Sequence, residues 1–210
     1  MKLYPDKLDF MGVHHLITDS VVPRPIAWVS TVSADGVFNL GVFSQYGIIC
    51  VQPPMVYIGA VQERDGTLKD TVVNAAATGE FVVAAITEEL GERMNITATD
   101  FPPEVDEFRE AGLTPVPGER VKAPRVGESP LNLECKLVQM LEFGGPPRGL
   151  RKNTVIIGEV VLFHVADDCW TGEGIDVPRL KTIARMGTVV GHPYCVSTVP
   201  FDLKPIEFGK

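Results

Sequence analysis

Apolar and polar positions along the chain follow mainly the spacing of short strands. Residues 26–32 form a largely apolar, β-branched run that contains Trp28 and comes directly after a proline-containing segment. Proline is tolerated at the start of a strand but not inside its ladder, so a strand is predicted to begin here. Asp35 and Gly36 then favour the positive φ of a hairpin turn, and residues 37–46 are predicted to be the returning strand.

Four further segments carry strand-like patterns. Residues 55–60 follow a double proline, and residues 81–86 form a compact apolar run. Residues 131–143 and 154–165 are longer and alternate roughly between apolar and polar positions, which is typical of half-buried strands. The glycines and prolines of residues 144–149 predict a mobile hairpin tip between these two strands.

Helix signals lie between the strands. Thr67 and Asp70 have the spacing of a capping box, which predicts a helix from there to about residue 78, ended by Gly79. A second helix is predicted to begin at residues 87–89, where a threonine precedes two glutamates.

The remaining segments complete a mostly β fold. Residues 103–111 predict another short helix, and residues 113–130, rich in proline and glycine, predict a surface loop. With about six or seven strands, two or three helices and a predominance of hairpins, an antiparallel barrel is favoured over a doubly wound sheet. Neither GxGxxG nor GxxxxGK[ST] occurs, which argues against a Rossmann or P-loop enzyme.

The composition narrows the function mainly by exclusion. The net charge of −8 argues against a nucleic-acid partner, although a local site on an acidic protein can still be positive. No apolar stretch approaches the roughly 20 residues that cross a bilayer, and the N-terminus lacks the apolar core of a signal peptide. A cytoplasmic protein without a membrane partner is therefore expected. The four cysteines are scattered without CxxC spacing, and the histidines lack ligand spacing, so neither a disulfide nor a metal site is predicted.

One constellation of polar residues suggests a binding site. Strand residues supply hydroxyls and an amide, and the Lys69 ammonium, the Thr71 hydroxyl and the N–H groups of a helix start lie close behind them in the sequence. Such a helix start is suited to a phosphate. The alternative interpretation is that these are ordinary strand hydroxyls and that Lys69 is a solvated helix residue. The strand residues concerned are Ser30, Thr31, Asn39 and Ser44.

The order of several short motifs is shared with a known family. These motifs are Arg-Pro-Ile-Ala-x-Val-Ser-Thr at 24–31, Asp-Gly at 35–36, Asn-x-x-x-Phe-Ser at 39–44, Pro-Pro at 53–54, Lys-Asp-Thr at 69–71, Thr-Gly-Glu-Phe-Val-Val at 78–83, Glu-Ser-Pro at 128–130 and Ile-Gly-Glu-Val at 157–160. In this order they resemble the flavin reductase-like, flavoredoxin-type family over about residues 20–190. The chain is therefore expected to be one split-barrel domain over residues 1–210, with a tail at 191–210 that wraps over the surface or a partner subunit.

The resemblance implies a cofactor, a partner and a set of site residues. It implies an FMN-binding split barrel that forms a homodimer. Ser30, Thr31 and Val32 would line the flavin, partly through backbone groups. Asn39, Ser44 and Gln45 would approach the ring or the ribityl chain. Lys69, Asp70 and Thr71 would grip the phosphate.

The chain departs from the family pattern near its C-terminal end. Two-component flavin reductases often carry Gly-Asp-His there, whereas this chain has Gly191 followed by His192 and no adjacent aspartate. His192 is the catalytic candidate, and the alternative is that it merely orients the tail. We expect an FMN-dependent oxidoreductase that passes reducing equivalents from NAD(P)H to flavin or another small acceptor. The alternatives are an FMN electron carrier that acts with a redox partner protein, and a non-enzymatic ligand-binding barrel.

Overall fold

The computed structural model describes residues 1–63, 65–145, 151–187 and 194–196. Its α-helices are α1 (Phe10–Ser20), α2 (Asp70–Thr78), α3 (Gly91–Thr97), α4 (Glu107–Glu110) and α5 (Val177–Leu180). Its strands are β1 (Arg24–Pro25), β2 (Ala27–Val32), β3 (Phe38–Phe43), β4 (Gln45–Val51), β5 (Pro54–Val61), β6 (Glu80–Ala84), β7 (Pro115–Val116), β8 (Arg125–Val126), β9 (Leu131–Gly144), β10 (Lys152–Val165), β11 (Ile183–Arg185) and β12 (Tyr194–Val196). Short 3₁₀ turns lie at Pro5–Lys7, Glu88–Leu90 and Asp167–Cys169.

Seven strands form one antiparallel sheet in the order β3-β2-β6-β9-β10-β5-β4. β3, at one end of the sheet, also contacts β5, the strand next to the other end, so the sheet curves round as in a barrel. β1, β11 and β12 form a separate three-stranded antiparallel sheet, and β7 pairs with β8. The predicted fold class, a mostly β antiparallel split barrel with a few flanking helices, is confirmed.

β2 lies between two apolar clusters and is buried on both faces. Ala27 and Val29 pack with Phe81 and the inner side of α2, whereas Trp28 packs on the opposite face with the residues of α3 and α4. The indole N–H of Trp28 donates to Thr97 Oγ1 at 2.8 Å, which satisfies a donor that would otherwise be costly to bury. Side chains of both faces of this strand are therefore fixed by the core.

The long β9–β10 hairpin crosses the barrel and extends past it. β10 carries two register shifts, which indicate bulges, and the second half of β9 is largely exposed. A Cβ at Gly158 would overlap the ring of Phe81, so glycine allows β10 to pass close over β6 at this point.

The predicted strand over residues 37–46 is wrong in its extent. β3 ends at Phe43, and the chain turns at Ser44 so that β4 pairs with β5 instead of β2. The predicted Asp-Gly turn before β3 is present, with Gly36 at a φ of 85°.

Two predicted helices begin later than expected. The Thr67–Asp70 capping box does not form, because the Thr67 N–H and hydroxyl both donate to Asp65 Oδ1, at 2.9 and 2.8 Å, and α2 begins only at Asp70. Its predicted end at Gly79 is confirmed, with a φ of 73°. The helix predicted over residues 103–111 is reduced to the single turn of α4, which Asp106 caps.

Other expectations fall partly or wholly outside the described residues. The segment predicted as a loop, 113–130, contains the β7–β8 hairpin. Most of the predicted hairpin tip, most of the predicted tail and His192 lie outside what the structure describes. In the described residues the four cysteines are free thiols, and none of the helices has the length and apolar character needed to cross a bilayer.

Candidate functional site

A cavity of about 950 Å³, the first cavity, lies between β3, the start of α2 and the segment that joins α3 to α4. Among the described residues, five carboxylates and two cations line it. They are Glu63, Asp65, Asp70, Asp100 and Glu107, with Lys69 and Arg151. Asn39 and Thr71 also line this cavity.

The N-terminal end of α2 faces the first cavity. Lys69 is the N-cap residue, and no side chain caps the helix there. The first turn of a helix carries N–H groups without intrahelical acceptors and a partial positive charge. This end of α2 is therefore suited to an anion.

Lys69 is held by two carboxylates. Its ammonium contacts Asp100 Oδ1 at 2.6 Å and also contacts Glu63. Partial burial alone would lower the pKa of Lys69, but the hydrogen bonds to Asp100 and Glu63 outweigh it and raise the pKa. The lysine is therefore charged at neutral pH, and an incoming anion must share it with two acidic side chains.

A buried polar network supports the wall of the first cavity. Asn39 Oδ1 accepts from Thr31 Oγ1 at 3.1 Å and from Thr71 Oγ1 at 2.9 Å, and Asn74 Nδ2 donates to Thr31 Oγ1 at 3.1 Å. Asn39 Nδ2 in turn donates to Glu107 Oε1 at 3.2 Å. The network fixes β2 and β3 relative to α2 and α4, because every member is hydrogen-bonded within it.

Glu107 is a buried carboxyl of this network. Its second oxygen accepts the Leu40 N–H at 3.0 Å, so the side chain bonds both the side chain and the backbone of β3. Burial raises the pKa of Glu107, and the hydrogen bonds from Leu40 and Asn39 reduce that shift. Burial likewise raises the pKa of Asp70 at the start of α2.

A second cavity, of about 850 Å³, continues from the first, since Val42, Val61 and Ala98 line both. The polar and aromatic residues that line the second cavity are Arg24, Ser44, Gln45, Tyr46, Tyr57, Arg185 and Tyr194, together with His14 and Thr18 of α1. Burial, followed by the proximity of Cys135, raises the pKa of Tyr46 to about 12, so its hydroxyl stays protonated at neutral pH. The two cavities together form one elongated groove with an apolar junction.

The two arginines of the second cavity are held in different ways. The Arg24 guanidinium donates to the carbonyls of Thr18, Val21 and Met186. Arg185 Nη1 donates to the Tyr194 hydroxyl at 2.7 Å, and its Cζ lies 4.8 Å from the centre of the tyrosine ring.

The structure brings most of the predicted site residues to this groove. Asn39, Lys69, Asp70 and Thr71 line the first cavity, and Ser44 and Gln45 line the second. The Thr71 hydroxyl, however, is buried and donates to Asn39.

The predicted residues of β2 lie behind the groove. Thr31 reaches it through Asn39, whereas the Ser30 hydroxyl points to the opposite face of the sheet and donates to the Pro124 carbonyl. Val32 is partly buried and lines neither cavity.

Sequence reasoning missed four charged residues of the groove. Arg151 follows the β9–β10 tip, Glu107 belongs to α4, and Arg24 and Arg185 pair across the three-stranded sheet. Arg24 lies within the first motif of the family resemblance, and Arg185 lies shortly before Gly191 and His192, where the chain departs from the family pattern.

The antiparallel sheet, in which β3 at one end comes close to β5 near the other, has a two-part groove and a helix start at the end of that groove. These features define a split-barrel protein with a site for an elongated ligand. The chain belongs to the flavin reductase-like domain family, whose model matches residues 19–173.

Three similar proteins show how far this relationship extends. A protein of Halalkalibacterium halodurans is 40% identical over 186 residues, which cover 89% of this chain and 88% of that protein. Component B of nitrilotriacetate monooxygenase from Bacillus cereus has a crystal structure that matches with a TM-score of 0.90 and 32% identity, over 97% of this chain and 98% of that chain. Flavoredoxin of Desulfovibrio vulgaris (Miyazaki F) matches with a TM-score of 0.73 and 27% identity, over 90% and 94% of the two chains.

Proposed function

We propose that the protein is an oxidoreductase that binds FMN along the two-part groove and passes reducing equivalents from NAD(P)H to flavin or another small acceptor. The observation that carries this proposal is the uncapped start of α2, with Lys69 beside it, at one end of a groove in a chain of this family. Similarity to a monooxygenase component and to a flavoredoxin supports redox chemistry.

The phosphate of FMN fits the first cavity. The N–H groups of the first turn of α2 and the Lys69 ammonium would hold it, with the Arg151 guanidinium on the same cavity wall. Because Lys69 already contacts Asp100 and Glu63, the phosphate takes the place of one of these carboxylates. Asp70 would act through its position at the helix start rather than by direct contact, since two anions repel each other.

The ring of the flavin fits the junction and the near part of the second cavity. Val42, Val61 and Ala98 give this part apolar walls, and Ser44 and Gln45 supply polar groups beside them. Thr31 would position Asn39 rather than touch the ligand, because its hydroxyl is engaged in the buried network. Bound flavin supplies the electron chemistry, and the protein residues bind and orient it.

An electron carrier is the second candidate function. The chain has Arg185-Met186-Gly187 at the end of β11 and lacks the Gly-Asp-His that flavin reductases often carry in this region, and flavoredoxin is among the similar structures. A carrier would bind FMN in the same groove and receive electrons from a partner protein instead of NAD(P)H.

We further propose that the protein is a homodimer. Apolar side chains of β4 and of the far half of the β9–β10 hairpin are exposed, which is typical of a surface that a protein partner covers. They are Ile48, Ile49, Val51, Val138, Leu141 and Phe143. Sedimentation equilibrium of the purified protein tests this, and a monomer at micromolar concentration would contradict it.

The function is tested by anaerobic absorbance titration. Purified protein receives FMN, then NADH or NADPH, and finally dithionite. We expect bound FMN to bleach with a nicotinamide cofactor. Bleaching with dithionite alone would favour the electron carrier, and FMN that stays unbound would overturn both functions.

A further inference from the structure

We propose that Asn153 of β10 is a positioning residue for Gln45 of β4, and that it makes Gln45 present an N–H donor to a ligand in the second cavity. The ligand group that this donor binds is a carbonyl or an unprotonated ring nitrogen. The assignment of that group to the flavin ring rests on the proposed function. The orientation of the two amides depends only on contacts within the protein.

Gln45 and Asn153 lie on one face of the barrel sheet, with β5 between them. Gln45 is opposite Gly59 of β5, and Asn153 is opposite Val61, two residues further along the same strand. Residues two apart on a strand share a face of the sheet. Val61 lines both cavities and Gln45 lines the second, so this face borders the groove.

A glycine lets the two side chains meet across β5. A Cβ at Gly59 would overlap Gln45 Oε1 and would lie 2.9 Å from Gln45 Cβ, so the side chain of Gln45 lies flat over this strand. It thereby reaches Asn153, whose Nδ2 donates to Gln45 Oε1 at 2.8 Å. The path of the Gln45 side chain is therefore set by β5 below it and by Asn153 at its end.

This hydrogen bond decides which group of the Gln45 amide is available. A glutamine amide carries an accepting oxygen and a donating NH2 group at the same reach. The oxygen is engaged by Asn153, and in the part of the chain that the structure describes Gln45 Nε2 has no hydrogen-bond partner. Gln45 is exposed and lines the second cavity. A ligand there therefore meets a donor.

The observed pairing leaves Asn153 with an unpaired acceptor. Asn153 Oδ1 is buried without a hydrogen-bond partner, which holds for no other buried side-chain nitrogen or oxygen of the described residues. An unpaired buried carbonyl is unfavourable. With both amides turned over, Gln45 Nε2 would donate to this oxygen, but the carbonyl of Gln45 would become the free group. The pairing thus keeps a donor at the groove and leaves a buried acceptor unpaired.

A donor at this position suits the ring of a flavin. The ring carries carbonyls and unprotonated nitrogens, and its electron affinity responds to hydrogen bonds at these atoms. Reduction adds negative charge to the ring, and a hydrogen bond to a charged acceptor is stronger than one to a neutral acceptor. Gln45 is therefore expected to favour reduced over oxidised FMN and to raise the reduction potential. Asn153 contributes to this effect through Gln45, without touching the flavin.

The test is a double-mutant cycle of Gln45→Ala and Asn153→Ala. FMN affinity is measured by fluorescence quenching, and the reduction potential of bound FMN by equilibration with a reference dye. Each single variant should weaken FMN binding about twofold to tenfold and lower the potential, as expected for the loss of one neutral hydrogen bond. The double variant should match Gln45→Ala within about twofold, because Asn153 acts only through Gln45.

Asn153→Asp reverses the polarity of the pair. A carboxylate only accepts, so Gln45 Nε2 should turn to it and leave the Gln45 carbonyl at the groove. FMN binding should therefore be weaker than in Asn153→Ala. The same substitution in the Gln45→Ala background measures the effect of the added charge alone, and most of the additional loss should be absent there.

Two controls separate positioning from a loss of folding. Asn95→Ala removes an exposed asparagine of α3 outside both cavities, and it should leave FMN affinity and potential unchanged. FMN-free Asn153→Ala should unfold at nearly the same urea concentration as the wild type. The lost hydrogen bond and the removed unpaired oxygen have opposite effects on stability.

Four outcomes would overturn the proposal. Additive losses in the double variant would show that Asn153 acts independently of Gln45. Weaker FMN binding with an unchanged potential would remove the donor from the ring. Unchanged FMN affinity and potential in Gln45→Ala would remove Gln45 from the site. Tighter FMN binding by Asn153→Asp would show that the carbonyl of Gln45 is the group that meets the ligand.

The amide orientation can also be tested without FMN, which separates it from the proposed function. If wild-type protein binds no FMN, the proposed function fails. The side-chain NH2 signals of Asn153 in the NMR spectrum of FMN-free protein then decide the pairing. An upfield shift of these protons in Gln45→Ala supports donation by Asn153, and an unchanged shift overturns it.

Discussion

The first and second cavities hold their cations by opposite means. In the first, Lys69 is held by two carboxylates, within a lining that is acidic overall. In the second, backbone carbonyls hold Arg24 and a tyrosine holds Arg185, and no described carboxylate lines the wall. An anion that approaches Lys69 must therefore compete with two carboxylates. The affinity of such a site for an anion therefore depends more on the groups that already bind the cation than on the presence of a cation near a helix start.

Removing Lys69 should have the largest effect on the first cavity. Lys69→Met is expected to weaken FMN binding roughly tenfold to hundredfold, because a charge-assisted contact to the phosphate is lost. Riboflavin, which lacks the phosphate, should bind this variant as well as it binds the wild type. Fluorescence quenching of each flavin measures both affinities.

Lys152→Met is the matched control for this lysine. Lys152 also forms an ion pair, with Glu142 at 3.0 Å, but it lies outside both cavities. The FMN affinity of the Lys152→Met variant should equal that of the wild type. Wild-type protein that bound riboflavin and FMN equally would contradict a phosphate site at α2.

Breaking the buried network should destabilise the wall that the first cavity depends on. Glu107→Gln replaces one of two accepting oxygens by a donor, so either the Leu40 N–H or Asn39 Nδ2 loses its partner. We expect a loss of about 1–3 kcal/mol in the free energy of unfolding, measured by urea denaturation. Glu110→Gln, on the exposed side of the same helix, should change it by less than about 0.5 kcal/mol.

The sign of the pH dependence sharpens this prediction. The pKa of Glu107 is raised in the folded state, so its stabilising contribution is fully present below the ordinary glutamate pKa. That contribution is lost as the pH rises through the raised pKa. The stability deficit of Glu107→Gln relative to the wild type should therefore shrink as the pH rises, and a deficit that grew would show that burial does not dominate.

Releasing Lys69 from one of its carboxylates should have the smallest effect. Asp100→Asn is expected to raise FMN affinity about twofold to fivefold, because the phosphate no longer competes with this carboxylate and an exposed ion pair is weak. Salt should reduce the gain. Asp168→Asn, which removes a similarly exposed carboxylate outside both cavities, should leave the affinity unchanged.

Turns and helix ends could be predicted from neighbouring residues, but the way in which distant segments meet at the first cavity could not. The Asp-Gly turn before β3 and the helix end at Gly79 depend on neighbouring residues, and both are present. Lys69, Asp70 and Thr71 form a contiguous segment at a helix start, so their place in the first cavity followed from sequence. Arg151 and Glu107 enter the same cavity from distant segments, and no spacing connects them to it.

Strand patterns failed where a strand is buried on both faces or changes neighbours. β2 is buried along nearly its whole length, so alternation could not tell that Thr31 faces Asn39 while Ser30 faces Pro124. At Ser44 the chain leaves the edge beside β2 and joins β5 as β4. Apolar residues lie on both sides of Ser44 and Gln45, and no glycine or proline within residues 42–46 marks the change of partner strand.

The two sheets contribute different residues to the groove, and this has an evolutionary consequence. Arg24, Arg185 and Tyr194 belong to the three-stranded sheet, whereas Lys69, Asn39 and Glu107 belong to the barrel and its helices. Because the two sheets are separate hydrogen-bonded ladders, substitutions in the smaller sheet can change its part of the groove while the strands of the barrel stay paired. A lineage built on this fold can therefore vary one end of the groove without first losing the stability of the barrel.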